Sequence, residues 1–178
     1  MEQDIQPNVS PMKTAITYGL YMGLGVIIFS LIMYMLGMPL DSKVHYIQYA
    51  IYIAAIWFGI QHHRENDLAG FISYSRALGC GTLISAVGGI LSAIYTFIQL
   101  KFIDPEMISK IMAMQEKKML DKGMAPDQVE QAIKMSASFM TPAMMATTIV
   151  PVAIFSGFII SLLLASVLKK EKPMFDSH

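Results

Sequence analysis

Charge is scarce in this sequence and missing altogether from long parts of it. Of 178 residues, 13 are Lys or Arg and 13 are Asp or Glu. None of them falls in Thr14–Leu40, Val44–His63, Ala77–Leu100 or Met135–Leu168. A soluble domain spreads charge over its surface, so this distribution excludes an ordinary soluble globule. Uncharged apolar runs of about 18 or more residues read as membrane spans. The two signs cancel and no Lys/Arg stripe could track phosphates, which leaves no case for nucleic acid as a partner. Cysteine is nearly absent. Cys80 stands alone in an apolar run, which excludes an intrachain disulfide and a Cys-rich metal site and makes it a packing residue.

Catalytic patterns are also missing. There is no H-E-x-x-H, no G-x-S-x-G and no pair of aspartates inside a span. Proton-coupled carriers keep an ionisable group near the bilayer midplane, and no Asp, Glu, Lys or Arg lies inside these runs. The expectation is therefore no enzymatic activity, no cofactor and no metal. His62 and His63 are adjacent and would point apart on a helix, so with Arg64, Glu65 and Asp67 they read as a solvated loop. The 16 methionines include nine from Met107 to Met145, but no His accompanies them, so they read as flexible apolar filling of interfacial helices.

What is present is helical. The head, MEQDIQPNVSPMK, lacks a basic signal-peptide start, and the long apolar stretch after it reads as a retained first span. Spans are expected at about 14–36, 44–60, 77–100 and 142–168, in a single membrane domain over 1–178. Gly37 and Pro39 close the first, and a tight turn at Asp41-Ser42 folds the second back beside it. The second is the most amphipathic, with Tyr46, Gln48, Tyr49 and Tyr52 in its first half. Residues Phe71–Leu78 should lie at the interface. Asp104-Pro105-Glu106 looks like a cap, a first-turn proline and a dipole-matched acid for a new helix.

Residues 105–140 differ in kind. They are rich in charge and carry an apolar stripe at helical spacing, through Ile108, Ile111, Met112 and Met119, then Val129, Ala132, Ile133, Ala137 and Met140. Lys122-Gly123 stops one helix and Pro126-Asp127 starts another. An extramembrane amphipathic helical hairpin is expected there. Thr141-Pro142 caps the fourth span, and Pro151 inside it should kink or break it.

The fold class is thus all-α, a polytopic four-transmembrane-helix bundle. Basic residues barely orient it, with six on the terminal side against seven on the other. The cluster Lys169, Lys170 and Lys172 abuts a span directly, which favours termini in the cytoplasm of a bacterial inner membrane.

Small residues recur every four positions at Gly81, Ser85, Gly89 and Ala93 in span three, and at Ala153, Gly157, Ser161 and Ala165 in span four. Gly19 and Gly23, and Ala50 and Ala54, repeat the spacing in the first two spans. Such rows let helices approach closely, either inside the bundle or against a second copy or another membrane protein. Ser30, Thr82, Ser85, Ser92, Thr96, Gln99, Ser156 and Ser161 are the polar groups of the spans, suited to hydrogen bonds between helices.

The stretch GFISYSRALGCGTLISAVGGILSAIYTFIQLKFIDP, the Met- and Lys-rich hairpin, and FMTPAMMATTIVPVAIFSGFIISLLLASVLKKEK together resemble the domain of unknown function 4199 family. These are membrane proteins found mainly in Bacteroidota. The shared features are the entry at Gly70–Tyr74, Pro105 after span three, Pro142 before span four and the exit at Gly157–Leu162. The resemblance implies a four-span inner-membrane protein and transfers no activity. On residues and resemblance together, the expected role is an accessory or structural subunit acting through helix–helix contacts, with membrane lipid around it. The alternative is a small transporter or channel for a solute or ion formed between copies. A weaker third is an enzyme acting on lipid, with His62, His63 or Glu65 at the surface.

Overall fold

The computed structural model describes residues 9–37 and 43–171. Among them the chain is all-helical, with no strand. The helices are α1 (Met12–Met35), α2 (Ile47–His62), α3 (Tyr74–Ile98), α4 (Met107–Asp121), α5 (Pro126–Ala137) and α6 (Pro142–Leu168). A 3-10 turn, Lys43–Tyr46, leads into α2, and wide turns of π-helix extend α2 over His63–Asp67 and α3 over Gln99–Ile103.

Three helices are long and apolar enough to cross a membrane: α1, α3 with its π-turn, and α6. Helix α2, expected as a fourth span, has 16 residues and falls short of that length on its own. The outward faces of the long helices are apolar, as on α6, where Val152, Phe155, Leu163 and Val167 are exposed. Only lipid or another apolar surface could cover such faces without loss.

The helix directions follow from where glycines meet side chains. A Cβ on Gly19 would collide with Val87, and one on Gly23 with Leu91. The contact advances the same way along both helices, so α1 and α3 run parallel. Gly81 faces Ser161 and Gly89 faces Ala153, so α3 and α6 run antiparallel. Helix α3 is the hub, packed most extensively on α6 and then on α1, with α2 alongside. Its core contributions, Ala77, Cys80 and Ile84, meet Met22, Ile56, Ile60 and Ala165.

Several terminators act as their chemistry requires. Gly37 and Gly123 take positive φ at the ends of α1 and α4, a conformation in which a Cβ is strained. The Thr141 hydroxyl accepts from the Met144 N–H at 3.2 Å, and Pro142 begins α6. Pro126 begins α5. The proposed Asp41-Ser42 turn and Pro39 lie outside the described residues.

Other details differ from the sequence expectation. Helix α3 starts at Tyr74, three residues before the expected start of span three at Ala77. Asp104 does not cap α4, whose cap position is Glu106. Instead it ends the π-turn of α3, is buried, and accepts from Lys110 Nζ at 3.0 and 3.1 Å. Pro151 sits within an unbroken 27-residue helix. Proline removes one intrahelical bond there, and packing on α3 carries the helix through. Helices α4 and α5 pack on each other, with Val129 buried between them.

Candidate functional site

The parallel α1 and α3 give the bundle two unlike ends. The start of α1, the end of α2, the start of α3 and the end of α6 meet at one; the opposite helix ends and α4 meet at the other.

The first end is tied shut by polar bonds. His63 is completely buried. Its Nδ1 lies 2.7 Å from Asp67 Oδ2, and the same oxygen accepts from the Thr14 hydroxyl at 2.9 Å. The expectation of a solvated loop is therefore corrected at His63. The π-turn widens the backbone after α2 and brings His63 and Asp67, four residues apart, into register with Thr14 on α1. Burial works to raise the Asp67 carboxyl, but the hydrogen bonds from His63 and Thr14 and the nearby imidazoles outweigh it and hold it below its ordinary value. An ionised Asp67 accepts only, so Nδ1 carries the proton it shares. His63 Nε2 then faces the interior with no partner among the described residues. His62 is different: it is exposed, beside Asn66 and the Tyr18 ring.

Further ties run across this end. Arg64 donates from Nη1 to the Leu168 carbonyl at 3.0 Å and pairs with Glu65. Ile72 and Lys170 exchange two backbone bonds at 2.9 and 3.0 Å, and the Lys170 ammonium lies over the Phe71 ring. Each of α1, α2, α3 and α6 is thus bonded to another at this end.

At the other end the helices part around a cavity of about 710 Å³. Its walls come from α1 (Val26, Ser30), the start of α2 (Tyr46, Gln48, Tyr49, Tyr52), the end of α3 (Ser92, Tyr95, Thr96) and α6 (Thr148 to Ser156). Lys118 of α4 reaches it from the hairpin. The polar first half of α2, visible in the sequence as amphipathicity, is this wall. Ser92, Tyr95 and Thr96 stand at i, i+3 and i+4 and so share one face of α3. Ser92 is only 5% exposed, and neither its Oγ nor the Tyr95 hydroxyl has a hydrogen-bond partner among the described residues. A buried hydroxyl without a partner is unfavourable; Ser161 Oγ, in the α3–α6 contact, is likewise without one among the described residues, but Ser92 and Tyr95 border open space.

The small-residue ladders sit elsewhere. Gly81 meets Ser161, Gly157 meets Ser85, and Gly89 meets Ala153, so each step of four along α3 is answered by a step of four back along α6. The same register sets Ala165, fully buried, opposite Ala77. Ala93 lies beyond this seam and lines a shallow apolar groove with Ile90, Ile94, Val150 and Pro151. Gly19 and Gly23 serve the α1–α3 contact, whereas Ala50 and Ala54 face outward. The expected hydrogen bonds between helices are not made by Ser85 or Thr82. Each bonds back to its own helix, to the carbonyls of Gly81 and Leu78.

Fold and sites together define, among the described residues, an all-helical bundle with three helices of membrane-crossing length, closed at one end and hollow at the other. Residues 17–170 match the family described as Protein of unknown function (DUF4199), and the chain belongs to that family. No curated protein and no solved structure matches it.

Proposed function

We propose that the protein crosses the membrane four times and takes up a small solute in the cavity at its hairpin end. The parallel course of α1 and α3 supports the fourth crossing. Two consecutive long helices that run the same way need a return between them, and among the described residues α2 is the helix that lies there. It is about 24 Å long at 1.5 Å per residue, against roughly 30 Å of hydrocarbon. Its 3-10 turn adds about 8 Å at ~2 Å per residue. The charge and amphipathic stripe of α4 and α5 support their place outside the hydrocarbon.

A bacterial inner membrane with cytoplasmic termini remains our reading of the orientation. Basic residues number nearly the same at the two ends, so the reading leans on Lys169 and Lys170, which directly abut the end of α6. The solute then enters from the periplasmic side. The reading is one of binding or passage, with no catalytic step.

The observation that carries it is the pair of unpartnered hydroxyls on a roomy wall, Ser92 and Tyr95. Ser92→Cys should react with a small water-soluble maleimide, whereas the wild-type thiol at Cys80, fully buried in the core, should not. A thiol at 92 as unreactive as Cys80 would contradict a water-filled site.

A second reading keeps the accessory role through helix–helix contacts. Its support is the outward face: the groove beside Ala93 and the exposed pair Ala50 and Ala54, where a helix of a second copy or of another membrane protein could approach closely. The Gly81 and Gly157 ladders add nothing to it, because they are occupied within the chain. An oligomer that persists in mild detergent and is lost on Ala50→Leu with Ala54→Leu would favour this reading.

A further inference from the structure

We propose that the apolar groove between α3 and α6, on the outer face of the bundle, holds an acyl chain of an anionic phospholipid whose phosphate rests on Lys101. The inference shares with the reading above only the membrane crossing of α3 and α6. The cavity plays no part in it.

The groove begins where the close seam ends. A Cβ on Gly89 would strike Ala153, but one turn further along α3 the facing side chains are Ala93 and, on α6, Ala146. These are too small to fill the gap, and a groove of about 670 Å³ is left open. Its α3 wall follows Ile90, Ile94 and Phe97, so it runs along the helix axis for three turns. Among the described residues the one polar side chain in its lining is Thr147, whose hydroxyl already donates to the Ala143 carbonyl at 2.8 Å. Nothing in it is offered to a polar solute. A long, narrow, apolar slot facing hydrocarbon fits a hydrocarbon chain.

A cation stands at its mouth. Lys101 follows Phe97 by one turn, and its Nζ lies 5.3 Å from the centroid of that ring and 5.5 Å from that of Phe102. The ammonium is thus held above a residue that lines the groove. Asp104, close by in the chain, is taken by Lys110, and no carboxylate pairs with Lys101 among the described residues. Helix α3 with its π-turn has 30 residues, or about 45 Å at 1.5 Å per residue, against roughly 30 Å of hydrocarbon. Lys101 is near the end of that length and so reaches the headgroup layer, where lysine attracts anionic lipid.

The same lysine argues against a second copy in the groove. Two copies related by an axis normal to the membrane would set both Lys101 ammonium groups at one depth on a shared face, like charge against like. A phospholipid brings the missing negative charge and the apolar chain in one molecule.

The test uses the full-length protein in a non-ionic detergent, with the most tightly retained lipid read by native mass spectrometry. The probes are phosphatidylglycerol, with one negative charge, and zwitterionic phosphatidylcholine. Phosphatidylglycerol should be preferred about fivefold, the ratio that ~1 kcal/mol for one lysine at the membrane surface gives. Lys101→Gln should abolish the preference, and Lys169→Gln, at the opposite end of the bundle, should keep it. Ala93→Phe, which fills the groove, should release the retained lipid whatever its headgroup. Lys101 is exposed, so its variant keeps the test decisive should Ala93→Phe fail to fold. Equal retention of the two lipids, a preference that survives Lys101→Gln, or a retained lipid unaffected by a folded Ala93→Phe overturns the proposal. A dimer that Ala93→Phe dissociates, without lipid preference in the wild type, also overturns it and assigns the groove to a second copy. None of these results bears on Ser92→Cys labelling, so the lipid site and the cavity reading fail separately.

Discussion

The two ends of this bundle are built from the same four helices and solve the same problem differently. At the terminal end every helix is bonded to a neighbour, through the His63–Asp67–Thr14 cluster, the Arg64 contact with the Leu168 carbonyl and the exchange between Ile72 and Lys170. At the hairpin end the helices also carry polar side chains, yet Ser92 and Tyr95 are left without partners among the described residues. The contrast lies in how the polar groups are spent. Where they bond each other they close the bundle, and where they face open space they are available to something from outside. The small-residue seam between α3 and α6 links the two ends and keeps them at a fixed separation.

The most severe way to break the contrast is to break the seam. Gly81→Leu would drive a side chain into Ser161 and Ile56. Overpacking a tight contact costs about 1–3 kcal/mol or more, and we expect a thermal midpoint in detergent many degrees lower, or no folded protein. Gly79→Leu, two residues away where an added Cβ would meet no neighbouring helix among the described residues, should leave the midpoint nearly unchanged. A similar loss in both would show that helix propensity, and not contact, is being measured.

Next in size is the closed end. Asp67→Asn removes a charged acceptor from buried His63 and from Thr14, worth about 1.5–3 kcal/mol for bonds of this kind. The loss should appear in thermal unfolding as a lower midpoint. Smaller, but specific, is the pH response. The Asp67 carboxyl lies below its ordinary value in the folded protein, so its stabilisation is complete above about pH 4, where the carboxyl ionises when unfolded. It is lost as the pH falls through the lower folded value. The midpoint should drop on acidification below pH 4, and Asp67→Asn should drop less over the same interval. Equal slopes would mean that other carboxylates govern the acid response.

The smallest effect is expected at the open end. Ser92→Ala and Tyr95→Phe remove hydroxyls without a partner among the described residues, so each should leave stability unchanged or raise it by up to about 1 kcal/mol. A clear destabilisation in either would mean that the hydroxyl is structural.

The parts of this fold that could be read from the sequence are those set by local rules. The absence of charge located α1, α3 and α6, and Thr141-Pro142, Gly123 and Pro126 marked helix ends because capping depends only on near neighbours. Asp104 misled because the π-turn extends α3 to Ile103 and leaves Asp104 as its terminator, two residues before the cap position of α4 at Glu106. His63 misled for a related reason. A run of His, Arg, Glu, Asn and Asp reads as solvated, and only the contact with Thr14, more than fifty residues earlier, shows that one of them is interior. The cavity was half legible. The tyrosines of α2 announced a polar face, but the facing serines of α1, α3 and α6 are brought opposite it only by the parallel packing of α1 on α3, which no local pattern encodes.

That parallel packing is also where the account is most exposed. Single cysteines at Lys13, Lys118 and Lys169 can be labelled in sealed vesicles with a membrane-impermeant maleimide, the buried Cys80 serving as a silent background. Four crossings require Lys13→Cys and Lys169→Cys to react from the same side and Lys118→Cys from the opposite one. Reaction of Lys13→Cys and Lys169→Cys from opposite sides would mean that α2 does not cross, and would contradict both the arrangement of the ends and the site between them.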